Sequence, residues 1–131
     1  MDVVIDTSAV IAVVTGAPEK TSLIAATRDA ALIAPPSVHW EVGNAFSAMV
    51  RRKHIDAAEV KQAIAVYQSV PIRFVDIDLT ASLDIALQHG LYAYDAYLIQ
   101  CALATKAPLL TLDRSLRRVA ASAGSTLLDF E

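Results

Sequence analysis

Acidic residues directly follow two strongly apolar, β-rich runs of the chain. Asp6 comes immediately after Val-Val-Ile, and Asp113 ends the run Leu-Leu-Thr-Leu. Asp95 precedes an almost wholly apolar stretch, and Glu41 lies at the flank of an apolar stripe with helical spacing. Clustered carboxylates repel one another and resist ionising unless cations neutralise them. Four such carboxylates in one pocket would suit the hard divalent cations Mg²⁺ or Mn²⁺.

Each acid also has a purely structural interpretation. Asp is favoured at helix N-caps, so Asp6, Asp95 and Asp113 could each cap a helix. Glu41 alone could be an ordinary solvated helix residue. Asp78 leaves a strand and precedes a helix in the same way, and we interpret it as a cap only. A purely structural role is less convincing for the four acids taken together, because several of them adjoin strongly apolar runs.

The elements that must position these acids alternate between short strands and longer helices. The predicted strands are Val3–Ile5, Leu32–Ala34, Arg73–Val75, Leu109–Leu112 and Thr126–Leu128. Strands separated by helices favour a parallel sheet covered on both faces, so we predict the α/β class and a three-layer α/β/α sandwich. Ligands of such sheets bind beyond the carboxyl ends of the strands. Asp6 and Asp113 occupy that edge.

Helical patterns fill the segments between these strands. A capping box at Asp56 and Glu59 starts one helix, and Gly90 ends another. The segment from Asp95 to Thr105 is apolar nearly all round, which predicts a central, buried helix. The remaining predicted helices begin at Pro18 and continue through Ile24, run from Ser37 to about Arg52, and end before Gly124.

Composition limits the class of protein. The 131 residues fit a single domain, 1–131, and an apolar share of 55% with 19% charged residues excludes intrinsic disorder. The one cysteine, Cys101, excludes an intrachain disulfide and a cysteine-based zinc site, and we expect it to be buried. No apolar stretch is long enough to span a bilayer, and no basic region precedes the first apolar residues. We therefore expect a cytoplasmic protein without a membrane segment.

The net charge of −3 means that any polyanion must meet a local basic patch. Arg114, Arg117 and Arg118 follow Asp113 at helical spacing and could contact phosphates, as could the basic cluster at 51–53. A solvated helix face is the alternative for both groups.

Aromatic and imidazole side chains suggest contact surfaces rather than chemistry. Trp40 points away from the apolar stripe of its helix, which favours a homodimer interface over base stacking. Tyrosines flank Asp95 at positions 92, 94 and 97, where packing is favoured and a stacking platform is the alternative. The three histidines share no ligand spacing, so we interpret them as surface or cap residues.

Taken together, four short motifs resemble the PIN domain. They are Asp6-Thr7-Ser8 after the leading strand, Glu41 with Asn44, Tyr94-Asp95-Ala96 and Thr111-Leu112-Asp113. The length and the order of elements are similar to the VapC-type toxins of bacterial toxin–antitoxin pairs. The resemblance implies a central parallel sheet of about five strands, with the first and fourth adjacent. It also implies an endoribonuclease dependent on Mg²⁺ or Mn²⁺.

The resemblance further implies roles for individual residues. Asp6 and Asp95 would be the primary metal ligands, and Glu41 and Asp113 would complete the site through water or a second ion. Ser8 and Thr111 would hold carboxylates or a metal-bound water, although ordinary strand packing is an alternative for Thr111. A metal-activated water would hydrolyse RNA to 5′-phosphate and 3′-hydroxyl ends.

We also expect a protein partner, and three other functions compete with that of a toxin. The resemblance implies a cognate antitoxin that would lay an apolar helix on the toxin and direct a basic side chain at the acids. Consistent with such a groove are the apolar residues Val10, Ile11, Val13 and Val14 just after Asp6. The alternatives are a catalytically idle PIN-like module that binds RNA or protein, and a housekeeping RNA-processing PIN enzyme. A haloacid-dehalogenase-like phosphatase would need a second Asp two residues after Asp6, where Ser8 stands.

Overall fold

Four short parallel strands form the centre of the computed structural model, which describes residues 1–130. They are β1 (Asp2–Ile5), β2 (Ala31–Ala34), β3 (Ile72–Phe74) and β4 (Leu109–Leu110). The strand order is β3-β2-β1-β4, and each neighbouring pair is parallel. Side chains of β1 are buried at consecutive positions because helices cover both faces of the sheet. The predicted α/β class, the parallel sheet and the adjacency of the first and fourth strands are confirmed.

The sheet has slightly fewer strands than the five that were expected. Within the described residues, Thr126–Leu128 contributes an isolated bridge between Leu127 and Leu109 rather than a strand. Leu128 N donates to Leu109 O at 2.9 Å, and Leu109 N donates to Thr126 O at 2.8 Å. The segment therefore covers the outer edge of β4 over a length too short for a ladder.

The helices flank the sheet and largely follow the predicted pattern. Their bounds are α1 Thr7–Thr15, α2 Lys20–Ala26, α3 Ser37–Arg51, α4 Ala57–Ser69, α5 Leu79–His89, α6 Ala93–Thr105 and α7 Arg114–Ser122. The capping box of α4 is present, and Gly90 ends α5 with a φ of 67°. Among residues 1–130, no single helix is long and apolar enough to cross a membrane.

Two helix starts differ from the prediction, and one further helix was not predicted. Helix α1 was not predicted, since its apolar residues lack a helical stripe and its signals are the N-cap Asp6 and the C-terminal Gly16, with φ of 73°. Helix α2 begins at Lys20, and Pro18 lies in the preceding turn. Helix α6 begins at Ala93, so Asp95 lies within its first turn. The cap interpretation of Asp95 is therefore wrong.

Candidate metal centre

The pairing of β1 with β4 brings two of the acids to one edge of the sheet. Ile5 pairs with Leu110, and Asp6 N donates to Leu110 O at 3.3 Å. Asp6 follows β1 directly, and Asp113 lies three residues after the end of β4. Each caps the next helix, because Asp6 accepts from Ala9 N and Asp113 accepts from Leu116 N. Asp6 and Asp113 therefore each cap a helix and also belong to the acidic group.

Asp6 is the most enclosed of the acids, with 4% of its surface exposed. The Ser8 hydroxyl lies 2.7 and 2.8 Å from its two carboxylate oxygens, and the Thr111 hydroxyl also donates to it. Burial raises the pKa of Asp6 despite these hydrogen bonds, and the nearby Asp113 adds to the increase. A carboxylate held this firmly keeps a fixed direction whether or not a cation is bound.

Ser8 and Thr111 also connect Asp6 to the backbone that leads to Asp113. Ser8 Oγ accepts from Leu112 N at 3.0 Å, and Thr111 Oγ1 accepts from Asp113 N at 3.0 Å. Thr111 is fully buried, yet its hydroxyl is directed at a carboxylate and not simply packed in the sheet. The two hydroxyls therefore fix the relative positions of two acids from distant parts of the chain.

Removal of the Thr111 hydroxyl should destabilise the protein. Thr111→Val keeps the shape of the side chain but deprives a buried carboxylate of a donor, which should cost about 1–3 kcal/mol of unfolding free energy at pH 7. Thr111→Ser retains the hydroxyl and is the matched control. Urea unfolding measures both variants, and a midpoint for Thr111→Val equal to that of the wild type would refute the role given to this bond.

Glu41 reaches the acids from α3 and is partly buried. Burial, and then the negative charges of Asp95 and Asp6, raise its pKa to about 7. Its Oε1 is buried and has no hydrogen-bond partner. A buried carboxylate oxygen without a partner is costly unless a proton or a cation neutralises the group.

Asp95 links the remaining members of the group. Burial raises its pKa first, and the charge of Asp113 contributes further. Glu41 interacts with Asp95 and Asp6, while Asp95 and Asp6 both interact with Asp113. Electrostatic coupling therefore joins the four acids into one group at the carboxyl edge of the sheet.

The donors of this group suit a hard divalent cation. Within the described part of the chain, no three His, Cys, Asp or Glu side chains converge closely enough to hold an ion as they now lie. The charges of the four acids nevertheless act on one another, since, in addition to burial, Asp95 and Asp6 raise the pKa of Glu41 and Asp113 raises the pKa values of Asp95 and Asp6. Carboxylate oxygens alone, one of them buried without a partner, match the preference of Mg²⁺ and Mn²⁺.

The family model described as the PIN domain matches residues 3–122. The chain belongs to the PIN domain family. This membership agrees with the motifs described above and argues against a haloacid-dehalogenase-like phosphatase. No curated protein matches the sequence significantly.

Two solved structures share the fold of this PIN domain. PAE2754 from Pyrobaculum aerophilum is 23% identical with a TM-score of 0.72, over 91% of this chain and 79% of that one. VapBC2 from Rickettsia felis, bound to a DNA fragment from their promoter, is 12% identical with a TM-score of 0.68, over 100% of both chains. At these identities the likeness concerns the fold.

The arginines of this PIN domain differ in their surroundings. Arg117 is half-buried, lies 3.4 Å from Asp129 and stands over the ring of Phe130 at 5.8 Å. Because Arg117 contacts the C-terminal segment, it has a structural role in addition to the predicted contact with RNA. Arg114 and Arg118 are exposed on the same helix.

Several other predicted side chains have clear positions. Trp40 is 73% exposed, as expected for a residue off the apolar stripe. Packing is wrong for Tyr92 and Tyr94, which are 90% and 62% exposed at the start of α6. Cys101 is buried as predicted, and burial raises its pKa to about 11, so the thiol is unreactive.

Ser37 is a neighbour of the site that the sequence did not single out. Its Oγ is buried without a hydrogen-bond partner, and it lies four residues before Glu41 on α3. Residues at this spacing share one face of a helix. The spacing of Ser37 from Glu41 could have identified it from the sequence, but a serine at the start of a helix resembles an ordinary cap.

Proposed function

We propose that this PIN domain is an endoribonuclease dependent on Mg²⁺ or Mn²⁺, and that it is the toxin of a toxin–antitoxin pair. The observation that carries the proposal is that Ser8 and Thr111 tie Asp6 to the backbone leading to Asp113 at one sheet edge, while Glu41, which feels the charges of Asp6 and Asp95, has a buried oxygen without a partner. Membership of the PIN family supports nuclease chemistry. The fold shared with a VapBC2 structure supports the toxin assignment.

The four acids have different tasks in this proposal. Asp6 and Asp95 would hold the cation, and Glu41 and Asp113 would complete the site. A cation bound there would polarise a phosphate oxygen and lower the pKa of a coordinated water. Ser8 and Thr111 keep the Asp6 carboxylate oriented through their hydrogen bonds. RNA hydrolysis would leave 5′-phosphate and 3′-hydroxyl ends.

Approach of RNA requires positive charge beside these acids. Arg114 and Arg118 are exposed on α7, the helix that Asp113 caps, and we assign the first phosphate contacts to them. Arg117 contributes only if Asp129 is displaced from it. These residues would steer the backbone and would carry no sequence preference.

An antitoxin would find an apolar groove on the face formed by α1 and α2. The groove has a volume of about 270 Å³ and exposes almost only apolar surface. Its walls include Val10, Val13, Val14, Ile24 and Leu32. The apolar face of a partner helix would bury its side chains there.

Expression of the chain alone tests the toxin assignment. We expect growth arrest on induction, no arrest with Asp6→Asn, and new RNA 5′ ends that identify the substrate in the arrested cells. RNA cleavage without growth arrest would instead favour a housekeeping PIN enzyme. An absence of cleavage by the purified protein in Mg²⁺ or Mn²⁺ would favour an idle binding module.

We also propose a homodimer that buries Trp40. The indole lies edge-on to the exposed His39 ring at 4.7 Å, and Phe74 lies 5.6 Å from that same ring. Exposed aromatic groups of this kind are typical of interface centres.

Trp40→Ala should raise the dimer dissociation constant at least about tenfold, because such anchors contribute about 2 kcal/mol or more. Sedimentation equilibrium measures the constant, with Tyr92→Ala as the control, and an unchanged value would refute this interface.

A further inference from the structure

A small apolar pocket lies at the same sheet edge as the acids. Its volume is about 210 Å³, and its walls come from the connection between β2 and α3, the connection between β3 and α5, the first residue of each of these two helices, and helix α6. The lining residues are Pro35, Pro36, Ser37, Ile77, Leu79 and Tyr97. Because the carboxyl ends of parallel strands share one edge, this pocket borders the region where the acids stand.

Two walls of the pocket belong to the helices that carry acids. Ser37 lies one turn before Glu41 on α3, and Tyr97 follows Asp95 by two residues on α6. Because Ser37 and Glu41 share one face of α3, one turn apart, a polymer whose phosphate lies at the acids would have an adjoining unit within reach of this pocket.

The lining of the pocket suits a flat, mainly apolar ring with a polar edge. Tyr97 supplies an aromatic ring that packs edge-on against Tyr94, with centroids 6.1 Å apart. Ser37 lines the pocket and supplies a hydroxyl whose buried oxygen has no hydrogen-bond partner. The volume is below the roughly 300 Å³ at which sites for drug-sized ligands begin, so it admits one ring system only.

We propose that this pocket receives a nucleobase of the RNA next to the cleaved phosphate, through contact with Tyr97 and a hydrogen bond from Ser37. The inference rests on the proposed function and deepens it. Base contact at a single position would give the enzyme a preference that its phosphate contacts cannot provide.

Titration with single nucleotides tests the pocket without any cleavage. The four nucleoside 5′-monophosphates are added separately to the wild-type protein, and ribose 5-phosphate is the control without a base. We expect at least one nucleotide to shift the NMR signals of the Ile77 and Leu79 methyl groups and of the Tyr97 ring, while ribose 5-phosphate does not. Equal shifts with all five probes, or no shifts, would overturn the proposal.

Variants identify the side chain that carries the effect. Tyr97→Leu keeps the pocket apolar and should lower the affinity for the responding nucleotide about tenfold, as expected for the loss of one stacking partner. Tyr92→Leu removes a tyrosine outside the pocket and should bind like the wild type. Equal affinity of Tyr97→Leu and wild type for that nucleotide would overturn the proposal.

Cleavage of random-sequence RNA provides the second readout. Wild-type cut sites should share a base preference at one flanking position, and Tyr97→Leu should lower that preference about tenfold. An unchanged preference would overturn the pocket assignment while the nuclease assignment stands. An absence of metal-dependent cleavage would refute the proposed function alone, since nucleotide binding is measured independently.

Discussion

Asp6→Asn is expected to lower the Mg²⁺-dependent cleavage of RNA by about 10³-fold or more, with the fold retained. Asn can still cap α1 by accepting from Ala9 N, so the local structure survives. The substitution removes one negative charge from a site whose cation would supply several kcal/mol of transition-state stabilisation. Each 1.36 kcal/mol corresponds to a tenfold change in rate. Initial rates on a labelled single-stranded RNA give the ratio.

Asp78→Asn is the matched control for this substitution. Asp78 is also an N-cap, accepts from Ala81 N at 2.8 Å and lies exposed at the start of α5. Its amide variant should change the rate by no more than about twofold, as for most surface substitutions. Chelation by EDTA should abolish the wild-type rate, and added Mn²⁺ should restore it. Equal rates for Asp6→Asn and the wild type would point to a contaminating nuclease.

In the absence of divalent cations, the free energy of unfolding should fall as the pH rises from about 4.5 to about 7. The pKa of Glu41 is about 7 in the folded protein, against 4.5 for an unperturbed glutamate, so the folded state holds the proton more tightly in this window. Stability falls with pH wherever the folded state binds more protons. The shift corresponds to roughly 3 kcal/mol at most, and solvent near a half-buried group reduces the loss to about 1–2 kcal/mol.

A bound cation should reverse this dependence. Mg²⁺ prefers the charged carboxylates, so the rise in Tm on adding Mg²⁺ should be larger at pH 8 than at pH 5. Glu41→Gln should make the free energy of unfolding less dependent on pH and should reduce the rise in Tm on adding Mg²⁺. Glu59→Gln is the control, because Glu59 is exposed in the capping box of α4 and Gln can serve the same role. Thermal unfolding that responds equally to Mg²⁺ at both pH values would contradict a carboxylate site.

Local sequence signals were sufficient for most of the fold. The run before Asp6 is apolar at consecutive positions, which is typical of a strand covered on both faces, and β1 is buried in this way. Capping chemistry identified the start of α4 and the end of α5. The acids could be grouped because strand ends in a parallel sheet share one edge.

Other features depended on contacts that no local pattern contains. Helix α1 has apolar residues on nearly every side, so its end signals were the only local evidence for it. Tyr92 occupies the N-cap position of α6 without a side-chain cap bond, and the start of that helix was therefore assigned to Asp95. The contact of Arg117 with Asp129 and Phe130 depends on how the C-terminal segment returns to α7.

The metal site itself can be tested most directly by anomalous diffraction from crystals soaked in Mn²⁺. We expect a peak among Asp6, Glu41, Asp95 and Asp113, with carboxylate oxygens roughly 2.1 Å away, the distance typical of small hard divalent cations. The same soak of Asp6→Asn crystals should lose the peak. Wild-type crystals without Mn²⁺ at these four side chains, or with Mn²⁺ bound only elsewhere, would contradict the account.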